Sequence, residues 1–370
     1  MLRVSFWLIR ALRTALAVSR SNTQTLSSIT NNLASLGAVR YPCRVHIPDG
    51  FIDGKTVATT AALAVAGVGL ALRHVRQTLP ARHIPMLGLS AAFLFAAQML
   101  NFPVVAGTSG HLIGGVLVAA MLGPSAAVVV VTTVLIVQCF LFQDGGVLAL
   151  GANIFNMAIL GAGGGWLLYR ALTGLLPGLR GQITAVAFAG WFSTVLAASS
   201  CAGQLAWSGK VDWKSAFTAM VGIHVLIGLG EALISALVFA AIQRTRPELT
   251  QIGQRTNERP GWGEFTRYGL LVSVGLAIFL APFACPWPDG LESVAEQLGF
   301  RSAAAKPLLP AFDLDSALPG IHSAALATAV AGAMGCLLVF ALALLLARLL
   351  VPPRPGILRP PLPRHETPPA

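Results

Sequence analysis

Apolar residues in this chain run in long, nearly unbroken stretches, separated by shorter polar segments. Soluble strands and helices alternate or show one apolar face; these stretches do neither. Crossing a bilayer takes about 20 apolar residues, fewer where a segment is short or re-entrant. On that basis seven spans are expected in a first block, at roughly 56–76, 85–102, 111–123, 125–143, 149–172, 182–202 and 216–243. The stretch at 111–123 is the shortest and is flanked by glycines. A polar, arginine-bearing linker covers 244–267, and two further spans follow at about 268–284 and 322–350, with a loop of mixed polarity between them. Short alternating strands, the mark of a membrane barrel, are missing from this pattern. The expected fold is therefore all-α, a polytopic membrane protein of seven helices plus two.

Composition agrees. Of 370 residues, 55% are hydrophobic and only 11% charged, against about 25% charged in soluble domains. The formal net charge of +11 could suggest nucleic acid, but in a membrane protein basic residues mark cytoplasmic loops. With the end bearing His46 placed outside, one face collects Arg73, Arg76, Arg82, Arg170, Arg180, Arg244, Arg246, Arg255, Arg259, Arg267, Arg348, Arg354, Arg359 and Arg364. The other has only Lys55, Lys210, Lys214, Arg301 and Lys306, together with Asp49, Asp53, Asp144, Asp212, Asp289, Glu292, Glu296, Asp313 and Asp315. This asymmetry places His46 outside and the C-terminus in the cytoplasm of a multi-pass cell-membrane protein. The five cysteines stand far apart with no C-x-x-C pair, so neither a zinc finger nor a disulfide framework is expected.

The chemistry concentrates in polar loops at the outer end. Val45-His46-Ile47-Pro48-Asp49-Gly50 precedes the first span, and Asn101-Phe102-Pro103 and Gly107-Thr108-Ser109-Gly110-His111 lie between the second and third. Two histidines thus reach one face of the membrane in glycine-rich loops. Imidazole suits nickel, cobalt, copper and zinc, and ionisable side chains at membrane depth are functional candidates. Read alone, each histidine could equally hydrogen-bond a loop carbonyl. Asp49 to Thr56 reads D-G-F-I-D-G-K-T, a near miss to a Walker A loop with aspartate where the first glycine belongs. No H-E-x-x-H is present. The chain is expected to bind and carry, not to hydrolyse ATP or catalyse another reaction, and to hold no cofactor.

Taken together, H-I-P-D-G at 46–50, N-F-P at 101–103, G-T-S-G-H-L-I-G-G at 107–115, Q-D-G-G at 143–146, L-G-A-N-I-F-N-M at 150–157 and G-I-H-V-L-I-G-L-G-E-A at 222–232 resemble the CbiM/NikM family. These are the substrate-capture (S) components of energy-coupling-factor importers for cobalt and nickel. The likeness covers about 45–243. It implies a seven-helix S-component bundle, Co2+ or Ni2+ as the transported ion, a CbiQ/NikQ-like coupling membrane subunit and CbiO/NikO-like ATPases as partners. In that family the chain starts Met-His, and the metal sits in a near-square plane of the terminal amine, the amide and imidazole nitrogens of that histidine, and the histidine of T-S-G-H. Carried over, His46 and His111 are ligands and residue 45 supplies the amine. Here position 45 is valine and 44 residues precede it. An uncleaved basic leader, a processed targeting peptide and a misassigned start, with a GTG codon written as valine, are the three readings. The third restores Met-His and is the one favoured. Asn153, Asn156 and Ser109 are candidates to support the metal loops by hydrogen bonds, although amides in spans also join helices. His224 and Glu231, seven residues apart on one helix face, read more readily as an interhelical polar contact.

In the second block Pro288-Asp289-Gly290-Leu291-Glu292 between two spans looks like the small CbiN/NikN accessory subunit, fused here over 268–350. In the family that subunit assists metal loading, which makes Asp289 and Glu292 candidate residues of a loading loop; the plainer reading is an Asp-Gly turn with a solvated glutamate. The proline-rich tail 351–370 is expected to be disordered. The competing functional class is a stand-alone secondary metal transporter or channel, which would need no ATPase.

Overall fold

A computed structural model of the chain describes residues 46–246, 262–305 and 323–351, all within one compact unit. The basic leader, Val45, most of the 244–267 linker and nearly all of the tail lie outside the described residues.

Most of each apolar stretch is helical. Helix α1 (Gly54–Thr78) starts at Asp53, whose carboxylate takes the Thr56 N–H (3.1 Å) and hydroxyl (2.6 Å). The Thr56 hydroxyl, ahead of other contacts, holds the Asp53 carboxyl below its ordinary pKa. Helix α2 (Ile84–Gln98) is apolar all round and buried on nearly every face. A short antiparallel ladder follows, β1 (Phe102–Pro103) with β2 (Ser109–Gly110), Phe102 opposite Gly110. Only Gly115–Leu122 of the expected third span is helical (α3); residues 111–114 stay extended until Gly114 (φ 69°) turns the chain into the helix, a backbone conformation that glycine adopts at no steric cost. Helix α4 (Pro124–Leu141) has proline in its first turn, where a missing N–H costs nothing.

The fifth stretch is one continuous rod of three parts: α5 (Leu150–Asn153), a π-helical segment (Ile154–Gly164) and α6 (Gly165–Leu175). The 161–165 glycines let it pack closely: a Cβ on Gly164 would reach Leu196 at 2.9 Å, and one on Gly165 would meet Ser193 at 2.8 Å. Helices α7 (Gly178–Trp207) and α8 (Trp213–Thr245) form the most extensive pair. Trp191 donates across it to the Val225 carbonyl (3.0 Å), and Asp212 caps α8 on the Ser215 N–H (3.0 Å).

In the second block α9 (Trp262–Phe279) and α11 (Ala324–Leu350) pack on α2, where Gly88 faces Phe340 and Gly269 faces Leu89. That packing explains why α2 has no polar face. The segment read as a loop of mixed polarity is partly ordered: α10 (Gly290–Gln297) begins at Asp289, which caps the Glu292 N–H at 2.7 Å. The turn expected at Asp-Gly is therefore a helix start, and its apolar residues Leu291 and Val294 are buried.

Among the described residues, six helices are long and apolar enough to cross a membrane by themselves. At 15 and 8 residues, α2 and α3 fall short of that length, and the fifth rod is interrupted by its π segment. The protein is an all-α polytopic membrane protein.

Candidate metal centre

The 46–52 segment folds inward at one end of the bundle, where His46, Ile47, Asp49 and Phe51 are all buried. Asp49 explains part of this: its carboxylate accepts the N–H groups of Val147 (3.1 Å), Leu148 (2.9 Å) and Ala149 (3.1 Å) at the start of α5. Asn153 supplies the rest. Its side chain accepts the Ile47 N–H (3.0 Å) and donates to the Ile47 carbonyl (3.1 Å), so the peptide after His46 is clamped from both sides. The 143–146 loop closes over His46. Gln143 adopts a left-handed φ of 52°, and a Cβ on Gly145 would come within 3.0 Å of the His46 Cβ.

His111 arrives on the loop between β2 and α3. The loop is anchored beneath it by Glu231, fully buried on α8, which accepts the N–H groups of Ile113 (2.6 Å) and Gly114 (3.0 Å). The His46 and His111 rings stand 6.0 Å apart between centroids, tilted by 55°. With metal–nitrogen bonds of about 2.0 Å, one ion held between two imidazoles allows roughly 6 Å between their centroids. The rings line a cavity of about 70 Å³ shared with Asn153, Asn156, His224, Asp289 and others. The His46 side chain is buried, only 3% exposed; its Nδ1 lies 3.0 Å from the Asp144 carboxylate, and its Nε2 has no hydrogen-bond partner. Buried polar atoms are rarely left so, and an unpartnered imidazole nitrogen in the wall of a small cavity suits a divalent ion. Among the described residues no three His, Cys, Asp or Glu side chains already converge on one metal position.

The remaining candidates divide. Asn153 serves the His46 loop directly. Asn156, also in the cavity wall, is engaged by α7: it donates to Gln204 Oε1 (3.0 Å) and accepts from Gln204 Nε2 and Ser200 (both 2.7 Å). Ser109 points away from the cavity and donates to the Trp287 carbonyl (2.8 Å). Its N–H bonds the Pro288 carbonyl (2.8 Å), Thr108 and Ser293 share a 2.8 Å hydroxyl contact, and Cys285 N–H bonds Asn101 O (2.8 Å). The second block is thus sewn onto the loop that carries His111. Asp289 reaches the cavity wall and is buried; burial, then the nearby Glu292, pushes its carboxyl well above its ordinary pKa. Glu292 lies toward Arg301, 4.0 Å away, and does not line the cavity.

His224 was the residue least legible in the sequence. It lines the cavity, and its Nδ1 lies 2.7 Å from the Met220 carbonyl, an arrangement that makes Nδ1 the donor and leaves Nε2 with its lone pair. Gly290 sits directly against that ring; a Cβ there would come within 2.7 Å of His224 Cε1. A histidine one helical turn past a buried methionine gives no such signal on its own.

Comparison with known proteins follows the same lines. Residues 46–249 match the family model described as "CbiM: Cobalt uptake substrate-specific transmembrane region". The chain is 33% identical over 307 residues to a putative fused nickel transport protein NikMN of Archaeoglobus fulgidus, covering 82% of this chain and 98% of that one. A fused nickel transport protein NikMN of Rhodobacter capsulatus is 32% identical over 220 residues, 55% of this chain and 63% of the relative. A crystal structure of a transition metal transporter superposes with a TM-score of 0.50 at 31% identity, over 57% of this chain and 96% of that one. The family match spans more than half of the sequence and the archaeal fused protein is matched almost end to end, so the chain belongs to the CbiM family of cobalt-uptake membrane proteins and carries a fused C-terminal block.

Proposed function

We propose that the chain is the substrate-capture component of an energy-coupling-factor importer for Co2+ or Ni2+. The observation that carries this reading is the unpartnered Nε2 of buried His46 beside the His111 ring in the wall of a small cavity. His46 and His111 supply imidazole, with main-chain nitrogen from the 45–46 segment completing a nitrogen-rich set of the kind Ni(II) and Co(II) favour. The basic residues support an orientation with this end outside and the C-terminus in the cytoplasm. The fused second block, hydrogen-bonded to the His111 loop through Ser109 and Thr108, assists loading, with Asp289 at the cavity wall and Glu292 on the same short helix. The chain carries no nucleotide-binding motif of its own. Energy therefore comes from partner ATPases acting through a coupling membrane subunit.

Two experiments test this. The tagged chain, expressed in its native host, should co-purify with a coupling subunit and ATPases. Uptake of radioactive Ni2+ or Co2+ into proteoliposomes should require those partners and ATP. Uptake at full rate by the chain alone would instead establish the stand-alone transporter.

A further inference from the structure

Helix α1 is longer than the neighbour it packs on: it has 25 residues and α4 has 18. Both have one end at the His46 loops, where α1 starts and α4 leads into residues 143–146. At about 1.5 Å per residue, α1 therefore outruns α4 by roughly 10 Å at the far end. The overhang, residues 72–78, carries Arg73, His74 and Gln77, all exposed.

An open-sided groove of about 570 Å³ lies there between α1, α4 and the π-helical segment. Its lining is divided. Leu70, Val128 and Ile159 form an apolar slot, and Arg73, His74, Gln77 and Ser125 follow toward the end of α1. Gly163 keeps the slot open, since a Cβ there would meet nothing nearer than the Ala158 carbonyl oxygen at 3.9 Å. None of the three elements carries an aspartate or glutamate anywhere along its length, so nothing in the groove's own walls balances Arg73. The space is within the range of about 300–1,000 Å³ that small-molecule sites occupy. A bilayer supplies one molecule with the same division, an apolar chain at depth and a phosphate at the surface. Basic pockets between membrane helices take anionic headgroups, and guanidinium pairs with phosphate through charge-assisted hydrogen bonds.

We propose that this groove binds one anionic phospholipid, an acyl chain along Leu70, Val128 and Ile159 and the phosphate at Arg73. His74, Gln77 and Ser125 supply hydrogen bonds to the headgroup. That the lipid belongs to the cytoplasmic leaflet rests on the orientation proposed above; the site itself does not. Because only 22% of the most apolar stretch of α1 is buried within the protein, a lipid wedged against it also ties that helix to the bundle.

The test is native mass spectrometry of the full-length chain, delipidated in detergent and titrated with phosphatidylglycerol or phosphatidylcholine. Wild type should take up one phosphatidylglycerol in preference to phosphatidylcholine, a comparison that needs no variant to fold. Arg73→Ala should weaken binding about fivefold, the worth of one basic residue beside an anionic membrane surface. Arg76→Ala, exposed on the same turn but outside the groove, should change little, and Gly163→Leu should fill the slot and prevent binding. Equal affinity for the two lipids, an Arg76→Ala loss as large as that of Arg73→Ala, or undiminished binding by folded Gly163→Leu would each overturn the proposal. Displacement of the lipid by inorganic phosphate would make this a free-phosphate site, and its exclusion by a co-purified membrane subunit would assign the groove to that subunit; either result also overturns it. Labelling of Gln77→Cys by a membrane-impermeant maleimide added outside intact cells would overturn the leaflet alone. Arg73→Ala should bind Ni2+ as wild type does, so a chain that takes the lipid but no Ni2+ would sink the metal reading and leave this one standing.

Discussion

Asn153→Ala separates the loop that holds His46 from the rest of the fold. The side chain makes two hydrogen bonds to Ile47, at 3.0 and 3.1 Å. On truncation the Ile47 carbonyl keeps its second donor, the Gly146 N–H at 2.9 Å, but the Ile47 N–H is left buried with nothing to bond. An orphaned buried donor costs about 1–3 kcal/mol and a lost but compensated bond about 0.5–1.5 kcal/mol. The expected destabilisation is about 1.5–4.5 kcal/mol, read by thermal unfolding in detergent. Because the clamped peptide carries His46, affinity for Ni2+ or Co2+ should fall roughly 10–100-fold, the range typical of a group that orients a ligand. Asn156→Ala is the matched control. It breaks contacts to Ser200 and Gln204 on α7, so it should destabilise comparably while leaving affinity within a few fold. The reverse ranking of the two affinities in titration calorimetry would refute the view that Asn153 positions the site.

Three further outcomes follow from the same geometry. Glu231→Gln offers an amide NH2 where two backbone N–H groups now converge; affinity for Ni2+ or Co2+ should drop about tenfold or more, as titration calorimetry would show. A Thr108→Cys/Ser293→Cys pair, replacing hydroxyls 2.8 Å apart, should form a disulfide on mild oxidation, and adding Gly290→Ala, which crowds His224, should slow it, as measured by gel shift. Burial, then Arg82, pushes the His83 imidazole down to about 4. Between there and its unfolded value near 6.5 the native protein binds fewer protons than the unfolded one, so stability should fall as pH is lowered through that window, and His83→Gln should flatten the dependence in unfolding scans.

How much of this the sequence carries depends on the kind of signal. Long apolar stretches register directly, so every span was legible to within a few residues at α1, α4, α7 and α8. The exception is informative: hydropathy cannot tell a helix from an extended apolar loop, and in the extended 111–114 segment Glu231, far away in sequence, satisfies the N–H groups of Ile113 and Gly114. Helix α10 escaped because its eight residues, 290–297, carry a mixed pattern and derive their order from packing against the first block. At the site, His46 and His111 stand in distinctive loops and are found from sequence. Whether Asn153 or Asn156 serves His46 is decided by which face of the fifth rod meets the 46–52 segment, and a π-helical segment shifts that face in a way 3.6-residue periodicity cannot anticipate. His224 lies in a motif that the sequence shows only as a string, but its place in the cavity wall comes from the seating of Gly290 against its ring.

The central claim is that His46 and His111 hold the transported ion together. Equilibrium titration of the purified full-length chain with Ni2+ and with Co2+ tests it most directly, beside His46→Ala and His111→Ala shown by thermal unfolding to be folded. The account predicts one high-affinity ion per chain for the wild type and none for either variant. Binding of wild-type strength and stoichiometry in both variants would contradict it.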